Sequence, residues 1–200
     1  MDSAGALADG DGEGMVNRTS RETTVPLTDH LDLRWALPDD PDLDRFTSGV
    51  PEVDVFFRGR RWFLEEKGKA SPPTYQFFLP RSGEVVGYAS VSKRRCGHPT
   101  DDSNAKARYL AIYVVSLHER FQGVELPGVV GTSIAAALFA QLEQIARTAP
   151  GCVGLYLWVR EDNARAVAFY RKLGFVDDTG GPVRRDDGPA HLTMRKLFDA

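Results

Sequence analysis

The sequence is poor in cysteine and has no long apolar segment. Its 200 residues include two cysteines, Cys96 and Cys152, which do not have the spacing of metal ligands, so we predict reduced thiols and no metal. No apolar run approaches the ~20 residues needed to span a bilayer, which predicts no membrane association. The first 20 residues lack the basic start and apolar stretch of a secretory signal. We therefore expect a cytoplasmic location.

A large excess of charge of one sign is also missing. The net charge is −3, which argues against a general nucleic-acid-binding protein. The charge is uneven, because residues 1–55 carry 13 acidic and 4 basic side chains, whereas the remainder carries 15 acidic and 21 basic ones. The basic excess of the remainder could bind phosphate groups of a small ligand, bind a nucleic acid, or have no specific partner.

Composition and periodicity divide the chain into a tail and one domain. Residues 1–25 are rich in Gly, Asp, Ser and Thr without a period, which predicts a disordered N-terminal tail, and 26–200 are predicted to form a single domain. Strands are predicted at 31–35, 75–79, 85–91, 109–115, 153–159, 175–176 and 190–194. Helices are predicted at 53–66, 134–145 and 164–173, with short helical turns at 37–44 and a loop at 96–105. Asp162 or Asn163 is predicted to cap the helix at 164–173, and Gly174 to end it in a left-handed conformation. This order indicates an α/β (α+β) fold with two helical crossovers.

One candidate anion site lies where the apolar strand at 109–115 leads into a glycine-containing loop and a helix. The loop is Gly128-Val129-Val130-Gly131-Thr132-Ser133. A helix start presents unpaired N–H groups and the positive end of the helix dipole, and both attract phosphate. Gly131 permits close backbone approach, and Thr132 and Ser133 add hydroxyl donors. The spacing alone fits a phosphate-binding loop and a packing turn with a Ser/Thr cap equally well.

A second motif follows the strand at 153–159. Asn163, Ala166, Phe169, Tyr170, Gly174 and Phe175 match Asn-x-x-Ala-x-x-Phe-Tyr-x-x-x-Gly-Phe. The segment therefore resembles the C-terminal signature of the GCN5-related N-acetyltransferase (GNAT) superfamily, and the resemblance covers residues 83–196 well and 28–80 loosely. It implies a mixed, mostly antiparallel sheet of six to seven strands with splayed central strands, flanked by about four helices.

The resemblance implies acetyl-CoA as cosubstrate and assigns residues to it. The pantetheine arm would enter between the strands at 109–115 and 153–159, and the loop would hold the pyrophosphate. The implied binding residues are Ile112, Tyr113, Val114, Val115, Gly128, Val129, Val130, Gly131, Thr132, Ser133, Asn163, Ala166, Phe169, Tyr170 and Lys172. The loop departs from the family pattern, since Gly128 stands at its usual Arg/Gln position. Gln122-Gly123 resembles the usual start of the loop, but Val124–Pro127 then resembles an insertion. The register of Gln122–Ser133 stays open.

The resemblance also implies a direct attack of a primary amine on the thioester. Such a reaction needs a neutral amine, a polarised carbonyl and a leaving thiolate that receives a proton. Tyr170 would be the general acid, and a backbone N–H near Val115 would polarise the carbonyl. Glu84, His118 and Glu119 are candidates for the general base, although a useful fraction of an α-amine with a pKa of about 7.7–8.0 is already neutral at cellular pH.

The acceptor amine is the least readable part of the sequence. Residues 46–57 loosely resemble an early segment of GNAT-type toxins from toxin–antitoxin pairs, which acetylate aminoacyl-tRNA. Basic side chains could contact a tRNA backbone or form a solvated surface; they are Arg58, Arg60, Arg61, Lys67, Lys69, Lys93, Arg94 and Arg95. A small molecule, a protein N-terminus and aminoacyl-tRNA all stay open as acceptors, with an antitoxin partner in the toxin case and a homodimer left open. The alternative from a different class is a non-catalytic acyl-CoA sensor or scaffold.

Overall fold

A computed structural model describes residues 31–62, 73–97, 106–178 and 190–198. The predicted tail at 1–25 lies outside these ranges. No helix in the described ranges is both long and apolar enough to cross a membrane. In chain order the elements are β1 (Asp32–Trp35), α1 (Pro41–Arg45), α2 (Pro51–Arg58), β2 (Thr74–Phe78), β3 (Val85–Gly97), β4 (Lys106–Leu117), a 3₁₀ turn (Glu119–Phe121), α3 (Ile134–Thr148), β5 (Cys152–Arg160), α4 (Ala164–Lys172), β6 (Val176–Asp177) and β7 (His191–Leu197).

The seven strands form one sheet in the order β1-β2-β3-β4-β5-β7-β6. β4 and β5 pair in parallel, and the other neighbouring pairs are antiparallel. α3 provides the crossover that parallel pairing of consecutive strands requires. The sequence-based prediction of a mixed, mostly antiparallel sheet with about four helices is confirmed.

α3 and α4 cover one face of the sheet. Ile134, Leu138 and Leu142 recur at helical spacing, and all three are buried in the main core with strand residues such as Leu110 and Leu155. α4 contributes Val167 to the same core. The predicted amphipathic pattern of α3 is confirmed, and it fixes the helix over the parallel pair of strands.

α1 and α2 pack on the opposite face, against β3 and β4. Leu43, Phe46, Phe57 and Trp62 are buried there around the ring of Tyr88. Side chains of a strand alternate between faces, so Tyr88 points to this second core while its neighbour Ala89 belongs to the main core.

The prediction of a helix at 53–66 is wrong at both ends. α2 runs from Pro51 to Arg58, because Pro51 suits the first helical turn and the chain stops at a left-handed residue, Arg60, with φ 51°. The N–H groups of Arg60 and Arg61 donate to the carbonyls of Phe57 and Phe56 at 3.1 Å each, which is the hydrogen-bond pattern of a Schellman stop. Residues 63–66 lie outside the described ranges.

The loop predicted at 96–105 also starts too early. β3 continues through Cys96 to Gly97 in register with β4, because pairing with the long β4 overrides the polar character of its sequence. Both cysteines are free thiols. The basic residues Lys93, Arg94 and Arg95 therefore alternate between the two faces of the sheet instead of sharing one surface.

Candidate functional site

β4 and β5 separate partway along their length and leave a gap between them. Their parallel register begins at Arg108 and Cys152 and ends at the pair Ile112–Leu157. Beyond that pair, β4 stays with β3 as far as Leu117, and β5 stays with β7 as far as Arg160. The two strands are thus held by different neighbours, which keeps them apart.

A β-bulge in β4 lies where the gap begins. Ser90 of β3 is opposite Val114, but the next residue, Val91, is opposite Ile112. Tyr113 is therefore an extra residue in β4, and such a residue bends the strand and increases its twist. The bulge gives a physical reason for the divergence of β4 from β5.

The backbone of β4 beyond the bulge faces into this gap. His118 donates its N–H to the carbonyl of Val86 at 2.8 Å, so this pair faces β3. Alternate residues of an antiparallel strand face the same neighbour. The N–H and C=O of Val115 consequently face away from β3, toward the gap.

The backbone of β5 faces the gap from the other side. Glu161 donates its N–H to Ala190 at 2.9 Å, which extends the pairing with β7. By the same alternation, the C=O of Trp158 and the N–H of Arg160 face β4, whereas the C=O of Arg160 accepts from the N–H of Asn163 at 3.0 Å. Buried backbone groups require hydrogen-bond partners, so a gap lined by peptide groups on both walls fits an extended ligand that carries amides of its own.

The loop that follows β4 is closed as a small hairpin. Leu126 donates to the carbonyl of Thr132 at 2.7 Å, and Ile134 donates to Val124 at 3.0 Å. Gly128 and Gly131 adopt φ values of 85° and 77°, which non-glycine residues rarely do. The residues between Leu126 and Thr132 therefore form a tight turn beside the start of α3.

Part of the start of α3 is already occupied by internal hydrogen bonds. The hydroxyl of Ser133 accepts from Ala136 at 3.1 Å, so Ser133 is the N-cap. Within the described residues, the N–H groups of Val130, Gly131 and Ala135 make no hydrogen bond. These three donors, at the positive end of a helix, suit an anion. Val129 packs against the core, and the side chain of Val130 is exposed.

Tyr170 lies on α4 in an aromatic environment. Its ring centroid is 5.4 Å from that of Phe139, 5.7 Å from that of Phe169 and 5.8 Å from that of Phe175. Burial raises the pKa of Tyr170 to about 12, so the hydroxyl stays protonated at neutral pH. It makes no hydrogen bond in the part of the chain that the structure describes.

The other motif residues have structural positions on α4. Asn163 is the N-cap, and its side chain accepts from Ala166 at 3.1 Å. Ala166 and Phe169 pack against the main core, and Lys172 is exposed at the end of the helix. Gly174 has φ 87°, as the predicted left-handed stop requires. The resemblance assigned Asn163, Ala166, Phe169 and Lys172 to acetyl-CoA, and their positions do not test that assignment.

The three candidate bases lie beside strand ends but differ in their interactions: Glu84 directly precedes β3, and His118 and Glu119 directly follow β4. Glu84 is paired with Arg120 at 2.5 Å, and Glu119 is exposed in the 3₁₀ turn. Burial, followed by the charge of Arg120, lowers the pKa of His118, whose ring lies 5.9 Å from that of Phe46. His118 is thus the candidate that is neutral, and able to accept a proton, at neutral pH.

A buried carboxylate that sequence reasoning missed connects the α1–α2 turn to the loop. Asp54 accepts from the N–H of Ser48 at 2.7 Å and from its hydroxyl at 2.5 Å. The carbonyl of Ser48 accepts from Gln122 at 2.7 Å. Gln122, which resembled the start of the phosphate loop, therefore holds the α1–α2 turn. The only sequence signal for this contact is a serine that lies six residues before an aspartate, in a segment where a helix begins at a proline.

Sequence reasoning also missed a contact between Tyr113 and Trp158. Their ring centroids are 5.6 Å apart, and the guanidinium of Arg94 lies 4.6 Å from the centre of the Trp158 ring. Successive side chains of a strand face opposite sides of the sheet, so Trp158, which follows the core residue Leu157, faces away from the main core. The bulge that turns Tyr113 toward Trp158 leaves no local pattern in the sequence.

Within the described residues, no group of three or more His, Cys, Asp or Glu side chains is placed to hold a metal ion. The peptide-lined gap and the donors at the start of α3 have the chemistry needed for the amide-containing arm and the phosphates of acetyl-CoA. The residues present therefore fit the cosubstrate that the sequence motif implies.

Comparisons with known proteins show the family and the fold. The profile of the Acetyltransferase (GNAT) family matches residues 43–175, and no match was found among curated proteins. The fold is similar to AtaT complexed with acetyl-methionyl-tRNAfMet (TM-score 0.54, 20% identity, 82% of this chain and 93% of that one). It is also similar to a bacterial toxin (TM-score 0.56, 16% identity, 84% of this chain and 90% of that one). A third similar structure is Arabidopsis thaliana NAA60 in complex with a bisubstrate analogue (TM-score 0.52, 13% identity, 84% of this chain and 100% of that one).

Proposed function

The chain belongs to the Acetyltransferase (GNAT) family, and from this membership we propose that it transfers an acetyl group from acetyl-CoA to a primary amine by direct attack within a ternary complex. The observation that carries the proposal is the gap between β4 and β5, which begins after the pair Ile112–Leu157. Peptide groups of both strands face into it, so the pantetheine arm can pair with them as an additional strand.

Two parts of the site would fix the ends of acetyl-CoA. The free N–H groups of Val130, Gly131 and Ala135 would bind the pyrophosphate at the start of α3. The N–H of Val115 would donate to the thioester carbonyl and stabilise the negative charge that develops on its oxygen during attack. Both roles use backbone donors, so the departure of the loop from the usual side-chain pattern does not remove them.

Tyr170 would donate to the sulfur as the thiolate leaves. The pKa of the Tyr170 hydroxyl, about 12, lies well above the pKa of ~8.5 of a thiol. Complete transfer of the proton from Tyr170 to the CoA thiolate is therefore unfavourable. The hydroxyl would therefore act mainly as a hydrogen-bond donor to the developing negative charge. The proton released by the attacking amine can afterwards neutralise the thiolate.

The proton of the attacking amine requires an acceptor. An α-amine with a pKa of about 7.7–8.0 is partly neutral at cellular pH, whereas a lysine amine at about 10.4 is not. His118, whose pKa is lowered, would accept the proton after attack. This favours α-amines over lysine side chains as acceptors.

The proposal is tested by calorimetry with acetyl-CoA together with a thiol-release assay on a panel of amines. We expect binding of acetyl-CoA and release of CoA with at least one α-amine. Binding without release on any amine would instead support the non-catalytic sensor, and absence of binding would refute both functions.

Acetylation of the α-amine of aminoacyl-tRNA is the second candidate. It is favoured by the loose resemblance of residues 46–57 to GNAT-type toxins and by the similarity of the fold to AtaT. Against it, Arg58 and Arg60 of the predicted basic surface are paired with Asp54 and Asp44. Expression of the wild type and of Tyr170→Phe in cells separates the candidates. Growth arrest that depends on Tyr170 would support the toxin, and an antitoxin partner would then be expected.

A further inference from the structure

Two aromatic rings meet where the gap between β4 and β5 begins. Tyr113 is the bulge residue of β4, and Trp158 directly follows Leu157, the last residue of β5 that pairs with β4. Their ring centroids are 5.6 Å apart, at an angle of 43° between the planes. These side chains are therefore the first residues on either side of the opening.

The ring pair and Tyr170 lie on opposite faces of the sheet. Leu157 belongs to the main core under α3, where Tyr170 also packs. Trp158 alternates with Leu157 and instead contacts Tyr156, with ring centroids 4.9 Å apart. Core aromatics fill the side of Tyr170, whereas Tyr113 is exposed, so we expect an acceptor amine to approach the closed end of the gap from the side of the two rings.

The charge beside the ring pair selects among acceptors. The guanidinium of Arg94 lies 4.6 Å from the centre of the Trp158 ring and 5.3 Å from that of Tyr156. Within the described ranges, Arg94 forms no ion pair with a carboxylate. Its positive charge disfavours a second cation on the rings, while the exposed ring of Tyr113 (46% accessible) offers an apolar planar surface.

We propose that Trp158 and Tyr113 are specificity-determining residues that contact an uncharged planar ring carried by the acceptor close to its amine. This inference rests on the proposed acetyl transfer and narrows its substrate class. The ring can belong to the aminoacyl group itself or to a nucleoside esterified to it, since both offer the same stacking surface. A well-placed aromatic contact changes affinity by about tenfold.

The test measures binding, so that it does not depend on turnover. Calorimetry with the protein saturated with CoA compares phenylalanine amide, leucine amide, glycine amide and the glycyl ester of adenosine. The ring-free counterpart of phenylalanine amide is leucine amide, and that of the adenosine ester is glycine amide. We expect the wild type to bind at least one ring-bearing compound about tenfold more tightly than its counterpart. Trp158→Ala should reduce this preference to less than about twofold, and Trp158→Phe should keep most of it.

Trp35→Ala is the matched control. Trp35 also stacks on a tyrosine, Tyr75, with ring centroids 4.2 Å apart, but it lies on β1 at the far edge of the sheet, so the preference should be unchanged. Melting temperatures and CoA affinity verify that each variant is folded. If Trp158→Ala does not fold, Trp158→Leu, which keeps apolar bulk without a ring, replaces it.

The outcomes separate this inference from the proposed function. A preference for the phenylalanine amide places the ring on the aminoacyl group, and a preference for the adenosine ester places it on the nucleoside. Equal binding of ring-bearing and ring-free amines by the wild type, or an equal loss in Trp35→Ala, overturns the inference. Thiol release is measured in parallel, so a ring preference without release would refute acetyl transfer alone.

Discussion

At the residue scale, Tyr170 has a hydroxyl that no described residue uses. The same is true of Tyr109, whose hydroxyl is buried without a partner on the other face of the sheet. We predict that Tyr170→Phe lowers kcat by ~10²-fold, the low end for loss of one donor to a developing negative charge, and leaves acetyl-CoA affinity nearly unchanged. Tyr109→Phe removes an equally unpaired hydroxyl and should leave kcat unchanged. Steady-state kinetics of both variants checks this, and an unaltered kcat in Tyr170→Phe would remove that side chain from the mechanism.

The buried tyrosines also predict an alkaline limit to stability. Burial raises the pKa of Tyr75, Tyr88, Tyr156 and Tyr170, the last to about 12. Unfolded tyrosines ionise near pH 10, so between pH 10 and 12 the folded state binds more protons and stability falls as pH rises. The melting temperature should be flat with pH just below 10 and then decrease. Tyr170→Phe should show a shallower decrease, and parallel curves for the two proteins would contradict this.

At the element scale, the cap of α4 gives a matched pair of variants. Asn163 accepts from Ala166 at 3.1 Å, whereas the neighbouring Asp162 makes only an exposed ion pair with Arg160. Loss of an N-cap costs about 1 kcal/mol, and exposed ion pairs contribute little. We therefore expect Asn163→Ala to lower the free energy of unfolding by about 1 kcal/mol in urea titrations and Asp162→Ala to change it much less. Equal effects would mean that the motif asparagine has no special capping role.

Elements with strong local signals were predictable, and elements fixed by distant pairing were not. The Asn163–Phe175 motif predicted α4 and its left-handed stop at Gly174, because capping and glycine chemistry act within a few residues. β3 extends to Gly97 only because β4 pairs with it, and α2 ends at an unusual left-handed arginine. The gap was expected from the family resemblance, but its bulge at Tyr113 and the ring of Trp158 depend on register between strands, which no local pattern contains.

At the scale of the whole molecule, one ion pair connects the helix of the anion-binding loop to the strand that holds β5. Lys196 of β7 contacts Glu143 of α3 at 2.6 Å, and Arg147 contacts it at 2.8 Å. Because α3 starts at the loop and β7 holds β5 away from β4, this contact fixes the anion-binding loop relative to one wall of the gap. Its loss should therefore affect both stability and acetyl-CoA affinity.

Glu143→Gln tests this connection. Burial alone would raise the pKa of Glu143, but the hydrogen bonds from Lys196 and Arg147 together outweigh it, and the pKa is lowered. The stabilisation is therefore present above the unfolded pKa of about 4.3 and is lost as pH falls below it. At neutral pH we expect a melting temperature ~2–4 °C lower, as about 1 kcal/mol gives in a chain of this size, and weaker acetyl-CoA binding. Below pH 4 the difference from the wild type should shrink. Asp177→Asn, which removes an exposed pair with Arg171, is the control, and a pH-independent difference in Glu143→Gln would show that packing, and not charge, joins α3 to β7.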